Sequence, residues 1–350
     1  MTTIVAKAPG RVSLAGGGTD LPVYYERRGG AVVSFAIDLP SYAHIGAHGT
    51  DLELLSIDHG TRELILHATV ARRMRAPILA EEFLLYQKAV AAHFGVERGR
   101  IAAGSEVPAG SGLASSGSIC VALVQAVSTF VGEPMDRARI AETACWIEMH
   151  LLRRACGKQD QFASAFGGLN LIEFFRDGSV DVTPLRTSTE TNEVLERRTM
   201  LFHNGSRRSA VGPLQEQARR SASDPDTVRA LDRLKDMAYE MHEVLERGDV
   251  DRVGEILHQG WQAKQHLNSQ VSTPEITRVY ALARRAGAAG GKLCGAGQGG
   301  TLLLYCHEDA QDEVRLTLAS QGWRERRFTI DRQGVTQQLE VGTEHDLARR

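Results

Sequence analysis

The chain has 350 residues, a formal net charge of −2, 42% hydrophobic and 24% charged residues. That length accommodates two domains or one bilobal body, and the balanced charge gives no general reason to expect nucleic acid or an anionic membrane as partner. Five cysteines without a C-x-x-C pair argue against a disulfide framework or structural zinc; with no signal-peptide pattern and no apolar run near the roughly 20 residues of a membrane helix, the sequence reads as reduced and cytoplasmic.

Residues 4–8, 11–15, 31–37, 42–47, 52–57 and 64–67 read as strands, so the first 70 residues are all strand and turn. Gly16-Gly17-Gly18-Thr19-Asp20 interrupts them. Three glycines mark a close backbone approach or positive φ. A helix is predicted over 78–94, closed by Gly95. A strand over 100–107 leads into Pro108-Ala109-Gly110-Ser111-Gly112-Leu113-Ala114-Ser115-Ser116-Gly117-Ser118, and an apolar helix runs out to about Phe130. A second helix is predicted over 136–152, with Asp136 as N-cap.

Residues 157–168 read as a polar turn, a short helical piece and a double-glycine exit; strands follow at 169–174 and 180–183. The polar stretch 186–196 reads as a linker, so the expected domains are 1–190 and 191–350. The second half begins with a strand at 199–203 and continues with helices over 212–221, 225–247, 250–267 and 274–286. A glycine loop over 290–300, a strand over 301–305, a helix over 309–320 and strands near 324–330 and 335–341 complete it. Strands and helices do not alternate strictly, which is an α+β pattern.

The common nucleotide and hydrolase motifs fail. G-x-x-x-x-G-K-[ST] is absent, which removes a P-loop. Gly295, Gly297 and Gly300 satisfy G-x-G-x-x-G, but a strand follows where a dinucleotide fold needs a helix. No G-x-S-x-G elbow occurs over 110–118.

What remains suits phosphoryl transfer, which is mainly positioning and charge stabilisation. A glycine-rich turn opening a helix offers backbone N–H groups and the positive end of the helix dipole to phosphate; a flexible connection with serine caps would look the same. Asp160 could accept a hydroxyl proton, or be a helix cap. Arg11 could sit on a transferring phosphoryl group, or be a surface ion-pair residue. Ser116 and Glu148 could hold a metal, although a mid-helix Glu is ordinarily solvated.

Lys7-Ala8-Pro9-Gly10-Arg11-Val12-Ser13-Leu14-Ala15-Gly16-Gly17-Gly18-Thr19-Asp20 resembles the first motif of the GHMP small-molecule kinases. Residues 108–117 resemble their ATP loop, and 292–300 their third motif, in the same order. Within that group, Gly-Gly-Gly-Thr-Asp-Leu-Pro, Gly-Lys-Gln-Asp-Gln-Phe-Ala and Ala-Phe-Gly-Gly-Leu-Asn are most similar to the D-glycero-D-manno-heptose 7-phosphate kinase branch. The resemblance implies a two-lobe α+β fold, with a mixed sheet and helices in the N-terminal lobe and a ferredoxin-like C-terminal lobe.

It also implies roles. Pro108, Gly110, Ser111, Gly112, Leu113, Ala114, Ser115 and Ser116 would wrap the ATP phosphates, and Ser116 and Glu148 would reach Mg2+. Asp160 would be the catalytic aspartate, with Arg11 beside it. Gly17, Gly18, Thr19, Asp20 and Gly297 would border the acceptor, with Lys158 or Arg208 on its phosphate. Gly17 and Gly18 stand where galactokinases carry bulkier Glu and His. Departures are Gly117 in place of Ala, Gln298 in place of Gly, Ala155-Cys156 in place of Pro-Ile, and Lys-Ala-Pro-Gly-Arg in place of Arg-Ala-Pro-Leu-Arg.

The expected activity is phosphorylation of the anomeric C1 hydroxyl of a heptose 7-phosphate. A kinase for another sugar or sugar phosphate, or a non-catalytic sensor of ATP and sugar, are the alternatives. The expected partner is a small sugar phosphate, with no nucleic acid or membrane. The long helices of the second half are compatible with a homodimer.

Overall fold

The computed structural model describes residues 2–66, 84–205, 211–267 and 271–341. The first sheet contains β1 (Thr2–Ala15), β2 (Gly30–Gly46), β3 (Leu52–Ser56), β4 (Thr61–Ile65), β5 (Gly99–Ser105), β6 (Leu169–Phe174), β7 (Val180–Pro184) and, from the far end of the chain, β12 (Thr336–Val341). β2 is long enough to fork. Its first half pairs with β6 and its second half with β5, while β1 runs along its other edge. The predicted strands at 11–15 and 42–47 are therefore the second halves of two long strands.

One expectation over this stretch is corrected. The glycine turn exits into a helix, α1 (Pro22–Arg28), not a strand. Pro22 occupies its first turn, where its preset φ suits a helix, and Tyr24 and Tyr25 are buried. The helix predicted from residue 78 is seen as α2 (Leu85–His93); its first part lies outside the described residues.

α3 (Ser115–Phe130) is apolar nearly all round because it is buried nearly all round, as a central helix must be. It packs on β1 and β2 beside α4 (Arg137–Trp146) and α5 (Gln159–Phe166). Asp136 caps α4 as expected, accepting from the Arg139 N–H at 2.8 Å. α4 does not run on as plain α-helix. Residues Ile147–Leu151 form a π-helical turn.

The predicted linker is also corrected. Most of it forms α6 (Thr189–Arg198), capped by Ser188, with Glu190 in the first turn and Arg197 and Arg198 in the last, charges that suit the helix dipole. Thr191 and Leu195 are its buried residues, so the apolar signal was too sparse to show.

α6 leads into β8 (Thr199–His203), which begins a second sheet with β9 (Ala288–Leu293), β10 (Thr301–Cys306) and β11 (Arg324–Arg326). All its pairings are antiparallel, in the order β11-β8-β10-β9. Between β8 and β9 come α7 (Val211–Ser223), α8 (Pro225–Glu246), α9 (Arg252–Gln265) and α10 (Pro274–Arg285); α11 (Gln311–Ser320) connects β10 to β11. The strand order is ferredoxin-like. The lobes share a core in which Val12, Leu14 and Phe35 meet Leu231, Leu234, Met237 and Trp261. No helix among the described residues is long and apolar enough to cross a membrane.

Candidate active site

The strand that carries Arg11 is broken in register between Pro9 and Gly10. Before the break Ile4, Ala6 and Ala8 lie in the core under α3; after it Val12 and Leu14 lie in the core shared by the lobes. The break shifts the alternation of faces by one residue, as β-bulges do. Arg11 is thereby placed on the face toward α5.

Arg11 is buried there. Its Nε donates to Asp160 Oδ1 at 2.9 Å, one terminal nitrogen donates to the same oxygen at 2.5 Å, and the other donates to the Gly112 carbonyl at 2.6 Å. Asp160 stands in the first turn of α5, and its side chain keeps 30% exposure. The alternatives of a surface ion pair for Arg11 and a mere cap for Asp160 are set aside by this buried, bifurcated pairing. Among the described residues no hydrogen bond reaches Asp160 Oδ2, which leaves it for a ligand.

The ATP-loop candidate lies directly against this pair. The Arg11 N–H donates to the Leu113 carbonyl at 3.1 Å. Ala114, before the first turn of α3, adopts a left-handed conformation with φ 68° and supplies no side-chain cap. The first N–H groups of α3 are thus left for a ligand, an arrangement suited to anions. The serine-cap explanation fails. A non-glycine residue at positive φ is uncommon, and Gln298 in the third loop is a second, with φ 64°.

Within the loop the residues divide. Pro108 and Gly110 are exposed, and Gly112, Ser115 and Ser116 half-buried. Ser111 is fully buried, its carbonyl accepting from the Thr301 N–H at 2.9 Å, and Leu113 is in the core. Ser111 and Leu113 thus shape the loop through packing and do not present side chains to a ligand. The loop also rests on the third motif. A Cβ on Gly112, whose φ is +80°, would lie 2.5 Å from the Cys294 carbonyl oxygen, and one on Gly300 2.6 Å from that of Ser111. Gly117 is equally constrained, since a Cβ there would lie 2.8 Å from Asp160 Cβ. The alanine usual at this position in the resembled family would crowd Asp160.

Glu148 is not a solvated helix residue. It is 1% exposed, on the π-helical turn. Tyr86 donates to Oε1 at 2.8 Å and Gln161 donates to Oε2. The Ser116 hydroxyl also acts on the Tyr86 phenol, so Ser116 and Glu148 both neighbour it. Burial pushes the Glu148 carboxyl up, against the pull of Tyr86 and Arg154. Tyr86, Gln161 and Arg154 were not found from sequence.

The glycine turn places Asp20 next to this centre. Its carboxylate accepts from the Gly18 N–H at 3.1 Å and the Gln159 N–H at 3.2 Å. Burial pushes its carboxyl up, and the nearby Asp160 adds to this. A Cβ on Gly157 would fall 1.8 Å from Asp20 Oδ2, so the turn before α5 closes directly over Asp20. Gly17 and Gly18 border the same turn, and Gln217 reaches the Gly18 carbonyl at 3.3 Å.

Two expected acceptor contacts come out differently. The Thr19 hydroxyl is fully buried and bonded to the Gly16 and Ala31 carbonyls, both at 2.9 Å. Thr19 staples the turn and does not face a ligand. Lys158 donates to the Gly178 carbonyl and lies 5.2 Å over the Tyr25 ring, which commits its ammonium to the β6–β7 turn. Arg208 lies outside the described residues. Gly297 is on the third loop, at φ 123°.

Two further cations were missed. Lys292 Nζ donates to the Leu14 carbonyl at 3.3 Å and Ser13 Oγ at 3.5 Å. Lys264 Nζ donates to the carbonyls of Gly295 at 2.5 Å and Leu293 at 3.2 Å. Burial pushes Lys292 down to about 7, with Lys264 and Arg11 adding to the effect. Burial likewise pushes Lys264 down to about 8.

With this geometry in view, the relatives can be compared. The model of the GHMP kinases N terminal domain matches residues 81–168, and that of the GHMP kinases C terminal matches residues 241–323. The chain is 29% identical over 347 residues to a D-glycero-alpha-D-manno-heptose 7-phosphate kinase from Campylobacter jejuni, covering 96% of this chain and 98% of that one. In fold it is similar to a D-glycero-D-manno-heptose 1-phosphate kinase from Bacteroides thetaiotaomicron, with a TM-score of 0.77 at 24% identity over 97% of this chain and 100% of the other. It is also similar to the Lactococcus lactis galactokinase solved with galactose, with a TM-score of 0.73 at 16% identity, covering 96% and 95%. The first matched domain contains Asp160 and the uncapped start of α3, and the chain carries both the N-terminal and the C-terminal domain of the GHMP kinases, as an ATP-dependent phosphotransferase.

Proposed function

We propose that this kinase transfers the γ-phosphoryl group of ATP to the anomeric C1 hydroxyl of D-glycero-D-manno-heptose 7-phosphate, giving the 1,7-bisphosphate and ADP. The full-length similarity to a heptose 7-phosphate kinase supports the acceptor. The observation that carries the chemistry is Asp160, fixed through one oxygen by Arg11 beside the uncapped N–H groups of α3. The α3 amides and loop 110–116 would hold the nucleotide phosphates. Asp160 Oδ2 would take the proton from the acceptor hydroxyl as its oxygen bonds to phosphorus and the bond to ADP breaks. Arg11 would keep the carboxylate aimed and oppose the charge spreading over the transferring group. Asp20 would meet an acceptor hydroxyl beside the reacting one.

The donor set fits Mg2+. No group of three or more metal-ligating side chains occurs among the described residues, and Mg2+ is usually held by one or two carboxylates together with phosphate oxygens and water. Glu148 would supply that carboxylate and Ser116 a hydroxyl; two of the roughly four acceptor positions of a carboxylate are used, by Tyr86 and Gln161. When bound, the ion would neutralise phosphate charge.

The test is incubation with Mg-ATP and a panel of heptose 7-phosphate, heptose 1-phosphate, galactose and fucose, followed by phosphorus NMR. A new anomeric phosphate on the heptose 7-phosphate is expected. Turnover of another sugar alone would reject the acceptor, and turnover of none would favour the sensor reading.

A further inference from the structure

Behind the glycine turn the lobes enclose a pair of ammonium groups that no carboxylate pairs with directly among the described residues, Asp20 acting on Lys264 only at a distance. Lys264 and Lys292 are 8% and 6% exposed. Neither forms a salt bridge among the described residues; their contacts are backbone carbonyls and one serine hydroxyl. The two bonds of Lys292, at 3.3 and 3.5 Å, are long for an ammonium donor. Burying one charge without a partner is costly, and burying two adjacent like charges is worse. The arrangement stabilises an empty pocket poorly and an anion-filled one well.

Its position indicates which anion. The two lysines, Gly16 and Gly17 line one cavity, closed on the other side by Leu234 and Met237. Gly17 leaves the pair uncovered, since a Cβ there would lie 3.2 Å from Ser13 Oγ and already touch Lys292 Nζ at 4.0 Å. The cavity is about 10 Å³, room for about one water, so an anion would be met at the Gly16–Gly17 rim by flexible lysine stems. Along β1, Arg11 faces Asp160 and Ser13 faces Lys292. Two residues of a strand span about 7 Å, a step comparable to one sugar ring. The same strand therefore presents the phosphoryl-transfer centre and, one step on, a cationic pair.

We propose that Lys264 and Lys292 form the subsite for a phosphate already carried by the acceptor, entered over Gly17. This rests on the reading of the acceptor as a sugar phosphate, and it displaces Lys158, whose ammonium is spent on Gly178. The pair makes the enzyme selective for a phosphomonoester over the same sugar without it.

The experiment compares kcat/KM for heptose 7-phosphate and unphosphorylated heptose in the wild type, Lys292→Met, Lys292→Arg and Gly17→Val. In parallel, calorimetry measures inorganic phosphate binding with saturating ADP on the nucleotide site. Lys292→Met and Gly17→Val should lower the preference for the phosphorylated acceptor about 10- to 100-fold, the size of a lost charge-assisted bond. Lys292→Arg should restore part of it, the KM for ATP should move little, and phosphate binding should fall with the preference. Equal losses on both acceptors, or unchanged phosphate binding in Lys292→Met, would overturn the subsite. If the wild type turns over neither sugar, the proposed acceptor fails, and the phosphate titration still decides the lysine pair by itself. Should Lys292→Met fold poorly, Gly17→Val gives the same reading with both lysines present.

Discussion

Asp160 receives two bonds from Arg11 on one oxygen, so replacing the carboxylate by an amide removes the proton acceptor and mispairs the guanidinium. Asp160→Asn should lower kcat by about 10²-fold or more, with ATP binding by calorimetry unchanged; near-normal turnover would refute its role. Gly117 offers a quieter probe. The Cβ of Gly117→Ala would lie 2.8 Å from Asp160 Cβ, so the aspartate must shift. We expect kcat to fall about 10-fold or more, since small misplacements of a reacting group are costly, while the unfolding midpoint moves little. These two residues also show what was legible. Asp160 and Arg11 sit in short motifs whose residue types suit phosphoryl transfer. Lys264 sits near the end of an amphipathic helix, 28 positions before Lys292, with no local pattern to mark it. Only the folded chain brings them together.

At the level of elements, the three glycine loops were readable because close backbone contact admits no side chain. The ATP loop and the third loop touch through Gly112 and Cys294, and a substitution at either face should disturb both. Gly112→Ala would also force alanine to φ +80°. We expect a loss of a few kcal/mol in unfolding free energy and a raised KM for ATP, both checked on one preparation. α1 and α6 were harder to read. α1 is a single heptapeptide after a glycine turn, and α6 buries Thr191 and Leu195, too few to show a period. The π-helical turn that carries Glu148 has no sequence signature of its own. Tyr86→Phe, which deletes a bond to Glu148, should weaken Mg2+ dependence several-fold in a metal titration if that carboxylate holds the ion.

At the scale of the molecule, the lysine pair ties the pH response to the joint between lobes. Their folded values of about 7 and about 8 lie below the ordinary 10.5. From pH 7 toward 10 the unfolded chain therefore binds more protons than the folded one, and stability from this source rises with pH. The unfolding midpoint of the ligand-free wild type, measured against the Lys264→Met, Lys292→Met double variant, should climb between pH 7 and pH 9. A flat difference would show that the lysines keep their ordinary proton affinity. The two-lobe plan and the ferredoxin-like order of the second sheet were legible through the resemblance. The shared core was not, because the alternation of β1 changes face at Pro9 and Gly10, and no local window reveals which lobe each face meets.

The pairing of β12 with β1, Thr2 opposite Val341 and Lys7 opposite Thr336, has a consequence for how the chain is made. During synthesis, the strand that aims Arg11 emerges some 330 residues before the strand that covers one of its edges. At about 5–20 residues per second, that edge stays bare for roughly 15 seconds to a minute. A nascent chain in this state exposes an unpaired strand that can recruit another, so crowded ribosomes and early termination before β12 are the conditions under which this kinase should aggregate.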